Sequence, residues 1–296
     1  MATATLLHRT DRPIKYRTVG FFPMAACRLR TTMILLTGST GFIGSHIRTA
    51  LTGSPVRSGV RTGAGFPIEL THPSTLAAAC DGVDAVVHAA SYIGPDEEMC
   101  DAINRRGTEA LVRAADGRRF VYLSTAAVYG NGPHRDAAEG SLAPAPVSAL
   151  SRSRLAAEEA VLAAGGVVVR PHLVYGKGDK WFAPAVRHLV RTLGGWPGDG
   201  SALISTIAAS SLGSLMGALA LMDVRGPLVL HANHPQPQPA REIARTVARM
   251  FGDPIPDGAG RGTGVPERHL TMMTEDHWYR SDRIWQLTGV QPSLAG

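Results

Sequence analysis

Three glycines, Gly38, Gly41 and Gly44, fall within "ILLTGSTGFIGSHI", directly after an apolar run and at the head of a helix-like stretch. At these intervals the first permits a tight strand-to-helix turn, the second lets backbone approach a pyrophosphate, and the third lets helix and strand pack closely. The helix N-terminus behind them turns unpaired N–H groups toward an anion. Because strand and helix flank the triplet, the spacing predicts a phosphate cradle for a dinucleotide. At the end of the next strand an acid would grip the ribose 2′-hydroxyl of NAD, but the chain reads "PVRSGVRTGAG" and offers no carboxylate. Arg61 stands there instead, with Arg57 as a second candidate. A guanidinium pairs with a 2′-phosphate through charge-assisted bonds, so NADPH is the expected cofactor and NADH a weaker one.

Such a cradle needs a sheet to carry it. Short apolar runs at Met33–Thr37, Pro55–Val60, Ala85–His88, Arg119–Ser124 and Gly166–Arg170 read as buried strands, with helix-like stretches such as Cys100–Ala115 and Arg152–Ala164 between them. Alternating strands and helices predict an α/β fold, a Rossmann-type doubly wound parallel sheet, over residues 33–176. After Gly176 the chain becomes rich in Gly, Trp and Pro, followed by apolar helices and a short strand at Leu228–His231. Residues 177–296 are therefore expected to form mainly a smaller C-terminal substrate-binding lobe, with some elements returning to the first domain. Residues 1–32 show no period and are expected to be a disordered extension, with Met33 as the effective start.

Composition narrows the function. The formal charge is +6, but residues 1–32 hold six of the basic residues and one acid, which leaves 24 basic against 23 acidic residues in the remainder. A nearly neutral body with no basic stripe argues against a nucleic-acid partner. Cys27, Cys80 and Cys100 are odd in number and widely spaced, as in a reducing compartment, and the eleven histidines show no zinc-ligand spacing, so no metal is expected. No run of 18 apolar residues is present. These features predict a cytoplasmic protein with no membrane partner; the oligomeric state stays open.

The ordered motifs "TGSTGFIG", "LTHPSTLAAACDGVDAVVHAAS", "NRRGT", "FVYLSTAAVYG" and "VVVRPHLVYGKGD" resemble the extended short-chain dehydrogenase/reductases, the NAD-dependent epimerase/dehydratase family. The resemblance runs from Met33 to about Gly178 and continues more faintly beyond. It implies that Thr40, Gly41, Phe42 and Ile43 wrap the pyrophosphate, that Glu69 and Leu70 lie near adenine, and that Ala89, Ala90 and Ser91 line the ribose and nicotinamide. Pro171, His172 and Leu173 would flank the nicotinamide amide. Thr125 falls where the family carries its catalytic Ser/Thr, and with Ser91 it is a candidate for orienting a substrate carbonyl; a strand-end hydroxyl capping backbone is the plainer alternative.

One stretch departs from the family. In "PVSALSRSRLAAEEAV" the pattern Tyr-x-x-x-Lys becomes Leu150-Ser151-Arg152-Ser153-Arg154. Leu150 has no proton to give; Arg154 keeps a cation able to hold the ribose hydroxyls but cannot tune a phenol as lysine does. Ala126 and Ala127 replace the Asp-Glu pair of sugar-nucleotide dehydratases, Leu173 an asparagine, and Ser210-Ser211 the acids of a "VDD"-like stretch. The later segment instead offers Trp181, Phe182, Trp196, Met216, Met222, Met272, Met273 and Trp278. Most of these belong to ordinary core, and any that reach a cleft favour a flat apolar ligand. The leading expectation is a ketoreductase acting on an aromatic polyketide ketone in antibiotic tailoring. The alternatives are a catalytically silent NADP(H)-binding sensor, or a deoxysugar ketoreductase whose acid has moved to Tyr92, Tyr129 or Tyr175.

Overall fold

Alternation along the strands decides the layering. In the computed structural model, which describes residues 32–224 and 226–293, strands β1 (Ile34–Thr37), β2 (Val56–Val60), β3 (Phe66–Pro67), β4 (Ala85–His88), β5 (Arg119–Leu123), β6 (Val167–Arg170) and β7 (Leu228–His231) form one sheet. Its order is β7-β6-β5-β4-β1-β2-β3 and every pairing is parallel. Successive side chains point to opposite faces. Ile34, Leu36, Ala85, Val87, Val121, Leu123, Val167 and Val169 build one core, and Leu35, Val86, Phe120, Tyr122 and Val168 build the other.

Helices cover both faces. The four that follow the first strands are α1 (Phe42–Ala50), α2 (Pro73–Cys80), α3 (Gly107–Ala115) and α4 (Ala149–Ala163). Further along lie α5 (Phe182–Leu193), α6 (Ala209–Leu221), α7 (Ala240–Phe251), α8 (Glu267–Thr274) and α9 (Asp282–Thr288). Helices α1, α6 and α9 close the first core through Ile47, Leu212, Leu215, Leu219, Ile284 and Trp285; α2, α3 and α4 close the second through Leu76, Ala79, Leu111, Ala157 and Val161. A Cβ on Gly213 would lie 2.7 Å from the His46 backbone, so only glycine lets α6 approach α1 this closely.

The later part of the chain is divided between two tasks. Strand β7 completes the main sheet beside β6, and α6 and α9 belong to its core. A separate core gathers Phe182, Val186, Leu189, Ile204, Ile243, Val247 and Met273 from α5, α7, α8 and the short strand Leu203–Ile204. That strand sits in a four-stranded sheet with Gln238–Pro239, His277–Tyr279 and His134–Ala137, the last coming from before Gly176. All the described residues belong to one compact unit.

Two boundaries differ from the sequence reading. Helix α4 begins at Ala149 rather than Arg152, because Ser148 caps it: its Oγ accepts from the Ser151 N–H at 3.1 Å, and Ser151 Oγ accepts in return from the Ser148 N–H at 3.1 Å. A serine replaces the usual Glu/Gln of this capping box, which hid the start. The stretch Cys100–Ala115 is not one regular helix; Cys100–Arg106 is widened to a π-helix before α3. The expectation of a disordered extension over residues 1–32 lies, Thr32 apart, outside the described residues, as does Cys27. Cys80 and Cys100 are buried free thiols, and no described helix is long and apolar enough to cross a membrane.

Candidate active site

The chain enters the sheet at β1, moves outward to β2 and β3, then crosses to β4 on the other side, so the β1/β4 junction is a topological switch point. A cleft of about 700 Å³ opens there, over the carboxyl ends of β1, β2, β4, β5 and β6. The expected cofactor residues Gly38, Thr40, Gly41, Phe42, Ile43, Gly44, Arg61, Glu69, Leu70, Ala89, Ala90, Ser91, Arg154, Pro171, His172 and Leu173 all line it, as does Thr125.

The glycine loop is shaped by what it lacks. Gly38 takes a left-handed conformation, φ +71°, and a Cβ there would lie 2.7 Å from the Ala90 nitrogen. A Cβ on Gly44 would lie 1.9 Å from the Gly38 carbonyl oxygen, and the Gly41 N–H closes the turn on that same oxygen at 2.9 Å. The backbone is thus bare where a pyrophosphate would lie, at the N-terminus of α1, whose cap Gly41 has no side chain to occupy the site. The loop and the cleft fit a dinucleotide. At the far end Arg61 is exposed at the tip of β2, whereas Arg57 is committed elsewhere: its Nη1 donates to the carbonyls of Ala79 (2.7 Å) and Asp81 (2.6 Å), and its guanidinium covers the Phe66 ring. Arg57 does not line the cleft, which removes the second candidate for a 2′-phosphate.

Beneath the loop runs a buried polar chain. Thr108 Oγ1 gives its proton to the Asn104 carbonyl at 2.6 Å, so at 2.9 Å it accepts from His88 Nε2–H. His88 Nδ1 then accepts from Thr37 Oγ1 at 2.6 Å. Burial, helped by the Arg154 charge, pushes the His88 imidazole down to about 3, so it is neutral near pH 7. Asn104, carried inward by the widened helical turn, accepts from Ser91 Oγ (3.0 Å) and the Tyr92 N–H (2.7 Å), and donates to the Tyr92 carbonyl and Ser153 Oγ, both at 3.1 Å. It ties the end of β4 to α4. In the sequence Asn104 stands only as the first residue of "NRRGT"; in the fold its buried side chain is the junction of the site.

Arg154 projects from α4 into the same corner. Its Nη2 donates to Ser91 Oγ at 3.0 Å and its Nη1 to the Ser124 carbonyl at 3.3 Å, while Nε is buried with no partner among the described residues. One helical turn earlier Leu150 lines the cleft with an apolar side chain. Thr125 Oγ1 accepts from the Ala127 N–H at 3.1 Å, capping the 3₁₀ turn Ala126–Tyr129; that bond uses a lone pair and leaves the hydroxyl proton to donate.

Of the tyrosines considered for a relocated acid, Tyr92 alone lines this cleft. Tyr129 is buried, with Oη 2.6 Å from His231 Nε2 and accepting from Arg170 Nη1 at 2.8 Å, and burial raises its phenol. Tyr175 lines a different pocket. His172 is pushed down to about 3 by burial against His277 and His134, so like His88 it carries no imidazolium near neutral pH. At the mouth stand Trp181, 63% exposed, and Phe182, both set by Asp179, whose carboxylate accepts from their backbone N–H groups at 2.8 and 3.0 Å. Of the other expected apolar residues, Met216 falls in the core under the main sheet and Met273 in the later core, with Trp196 and Met272 packed against the latter; Met222 and Trp278 are half-buried and belong to neither.

Comparison with known proteins finds relatives in sequence and in structure. The chain is 33% identical over 212 residues to the 4-hydroxy-2-methyl-3-oxo-4-farnesyl-3,4-dihydroquinoline-1-oxide ketoreductase of Stigmatella aurantiaca, covering 62% of this chain and 63% of that protein. It is 31% identical over 218 residues to the dTDP-4-dehydrorhamnose reductase of Mycobacterium tuberculosis, covering 69% and 70%. The fold matches the structure of RMD from Pseudomonas aeruginosa complexed with NADPH, at TM-score 0.67 and 23% identity over 90% of this chain and 95% of that one. Residues 34–193 match the family model for NAD dependent epimerases and dehydratases, more than half of the chain, and the loop, the switch-point cleft and the strand order agree with it. The chain belongs to the NAD dependent epimerase/dehydratase family.

Proposed function

We propose that this protein is an NADPH-dependent ketoreductase that reduces a carbonyl of a polycyclic aromatic polyketide, and that the proton for the new alkoxide comes from the substrate. The observation that carries the reading is the corner of the cleft where Leu150 stands one turn before Arg154, with Trp181 and Phe182 at the mouth. When bound, the nicotinamide supplies a hydride. The chain's own residues hold the carbonyl: Thr125 presents a hydroxyl proton, and Arg154, fixed by the Ser124 carbonyl and by Ser91 Oγ, whose own proton goes to Asn104, adds a positive charge that stabilises negative charge developing on the oxygen. None of them is a good acid near pH 7, and His88 and His172 are neutral. A phenol peri to the ketone has an unperturbed pKa of about 10, like a tyrosine side chain, and lies within hydrogen-bond reach. A similar departure from Tyr-x-x-x-Lys, with an apolar lobe, gives this chain its resemblance to the angucyclinone ketoreductase of simocyclinone biosynthesis.

A second reading is favoured by Tyr92 in the cleft and by the dehydrorhamnose reductase relative: a deoxysugar ketoreductase using that phenol as its acid. NADPH consumption with 8-hydroxy-1-tetralone and with a 4-keto sugar nucleotide separates the two. The ketoreductase reading expects turnover of the tetralone, survival of that turnover in Tyr92→Phe, and a preference for NADPH that falls by about one to two orders of magnitude in Arg61→Ala, the worth of a charge-assisted pairing. Turnover of the sugar nucleotide alone, abolished by Tyr92→Phe, contradicts it.

A further inference from the structure

Phe182 lines two spaces. One is the cleft; the other is a separate pocket of about 120 Å³ in the later core. The pocket wall is made by Tyr175, Phe182, Ile243, Val247 and Met250, with three polar side chains, Gln238 among them, completing it. The backbone leads from one space to the other: in the strand Leu173–Tyr175, Leu173 and Val174 line the cleft and Tyr175 lines the pocket. On α7, Ile243, Val247 and Met250 recur at helical spacing on one face. The first two are buried and Met250 is 47% exposed, so the pocket runs from the cleft wall at Phe182 toward solvent at Met250.

The dimensions and lining select a ligand class. An apolar cavity of ~150 Å³ holds a benzene molecule. A space of 120 Å³ with this lining suits about five carbons. It does not suit a phosphate or a hexose, whose polar groups would lose water against Phe182, Ile243 and Val247 with too few partners in return. We infer that this pocket is a substrate subsite that takes an apolar substituent of about five carbons, a branched alkyl group, which reaches past the Phe182 ring from the ketone whose ring occupies the cleft. This rests on the ketoreductase reading of the cleft.

The test uses the full-length protein with NADP⁺ and two probes, 8-hydroxy-1-tetralone and the same ketone bearing a 3-methylbutyl group on its saturated ring. Calorimetry gives the affinity of each, and steady-state kinetics gives kcat/KM. Each buried methylene is worth about fourfold in affinity, so the alkylated ketone is expected to bind at least about tenfold more tightly to wild type. Met250→Trp, a change at an exposed rim position, should bring that ratio close to one while leaving the affinity for the unsubstituted ketone and for NADPH unchanged. Val247→Ala should move the preference toward a longer chain. Equal affinities in wild type, a ratio indifferent to Met250→Trp, or binding of neither ketone overturns the subsite. If the alkylated ketone binds preferentially and neither is reduced, the subsite stands and the ketoreductase reading fails.

Discussion

Arg154 occupies a position that only its own geometry explains. A lysine there would offer one rotatable ammonium; the guanidinium reaches Ser91 Oγ and the Ser124 carbonyl at once and so bridges the ends of two strands. The cation therefore orders the corner in which the carbonyl is proposed to bind, without supplying a proton. Thr125→Val and Ser91→Ala are each expected to lower kcat/KM by less than the ~10²–10⁴-fold typical of losing a general acid, because the first removes an orienting hydroxyl with its cap on Ala127 and the second a hydroxyl that holds Arg154, and neither removes an acid. Thr125→Ser should restore most of the loss, since it keeps both the hydroxyl and the cap on Ala127. Leu150→Tyr should bring no large gain. Steady-state kinetics with separate kcat and KM checks all of these, and a drop of 10³-fold or more in Thr125→Val would make that hydroxyl the acid.

Helix α4 is the element that aims Arg154, and it is anchored one turn further on. Glu158 is buried, forms an ion pair with Arg170 on β6 and accepts from Ser124 Oγ; Arg170 Nε donates to its two carboxylate oxygens at 3.0 and 3.1 Å. Arg170 also donates to Tyr129 Oη at 2.8 Å and lies over that ring. Removing one partner of such a pair leaves a buried charge, so Glu158→Ala is expected to cost about 3–5 kcal/mol in denaturant unfolding, and a double replacement with apolar residues much less. A loss under about 1 kcal/mol would mean that α4 is held by packing alone. Most of this sheet was legible as a sequence, because buried parallel strands are short apolar runs and the glycine loop has a fixed spacing. The anchors of α4 were not: Ser151 in a capping box, Asn104 in a widened turn and the Glu158–Arg170 pair are recognised by partners far along the chain, which local pattern does not record.

At the scale of the whole molecule, one cleft collects residues from Thr37 to Phe182, spread over about half of the chain. Its glycine loop was readable because Gly38, Gly41 and Gly44 leave a signature that chemistry demands, and its far wall was half-readable. Trp181 and Phe182 stood out as aromatic, but their placement at the mouth depends on the Asp179 cap, and Met216 and Met273, equally apolar in sequence, went to cores. Arg57 and Arg61 were indistinguishable by type; the strand register turned one onto the Ala79 and Asp81 carbonyls and the other toward the cleft. The central claim is that this assembly holds a ketone and leaves the proton to the substrate. The most direct measurement compares single-turnover reduction of 8-hydroxy-1-tetralone with that of its 8-methyl ether, at ketone concentrations that saturate the NADPH-bound protein, with binding of each checked by calorimetry. The account predicts that the bound ether is reduced at least about 10²-fold more slowly, the usual loss when an acid is removed; reduction of the bound ether as fast as the free phenol would mean that the protein supplies the proton.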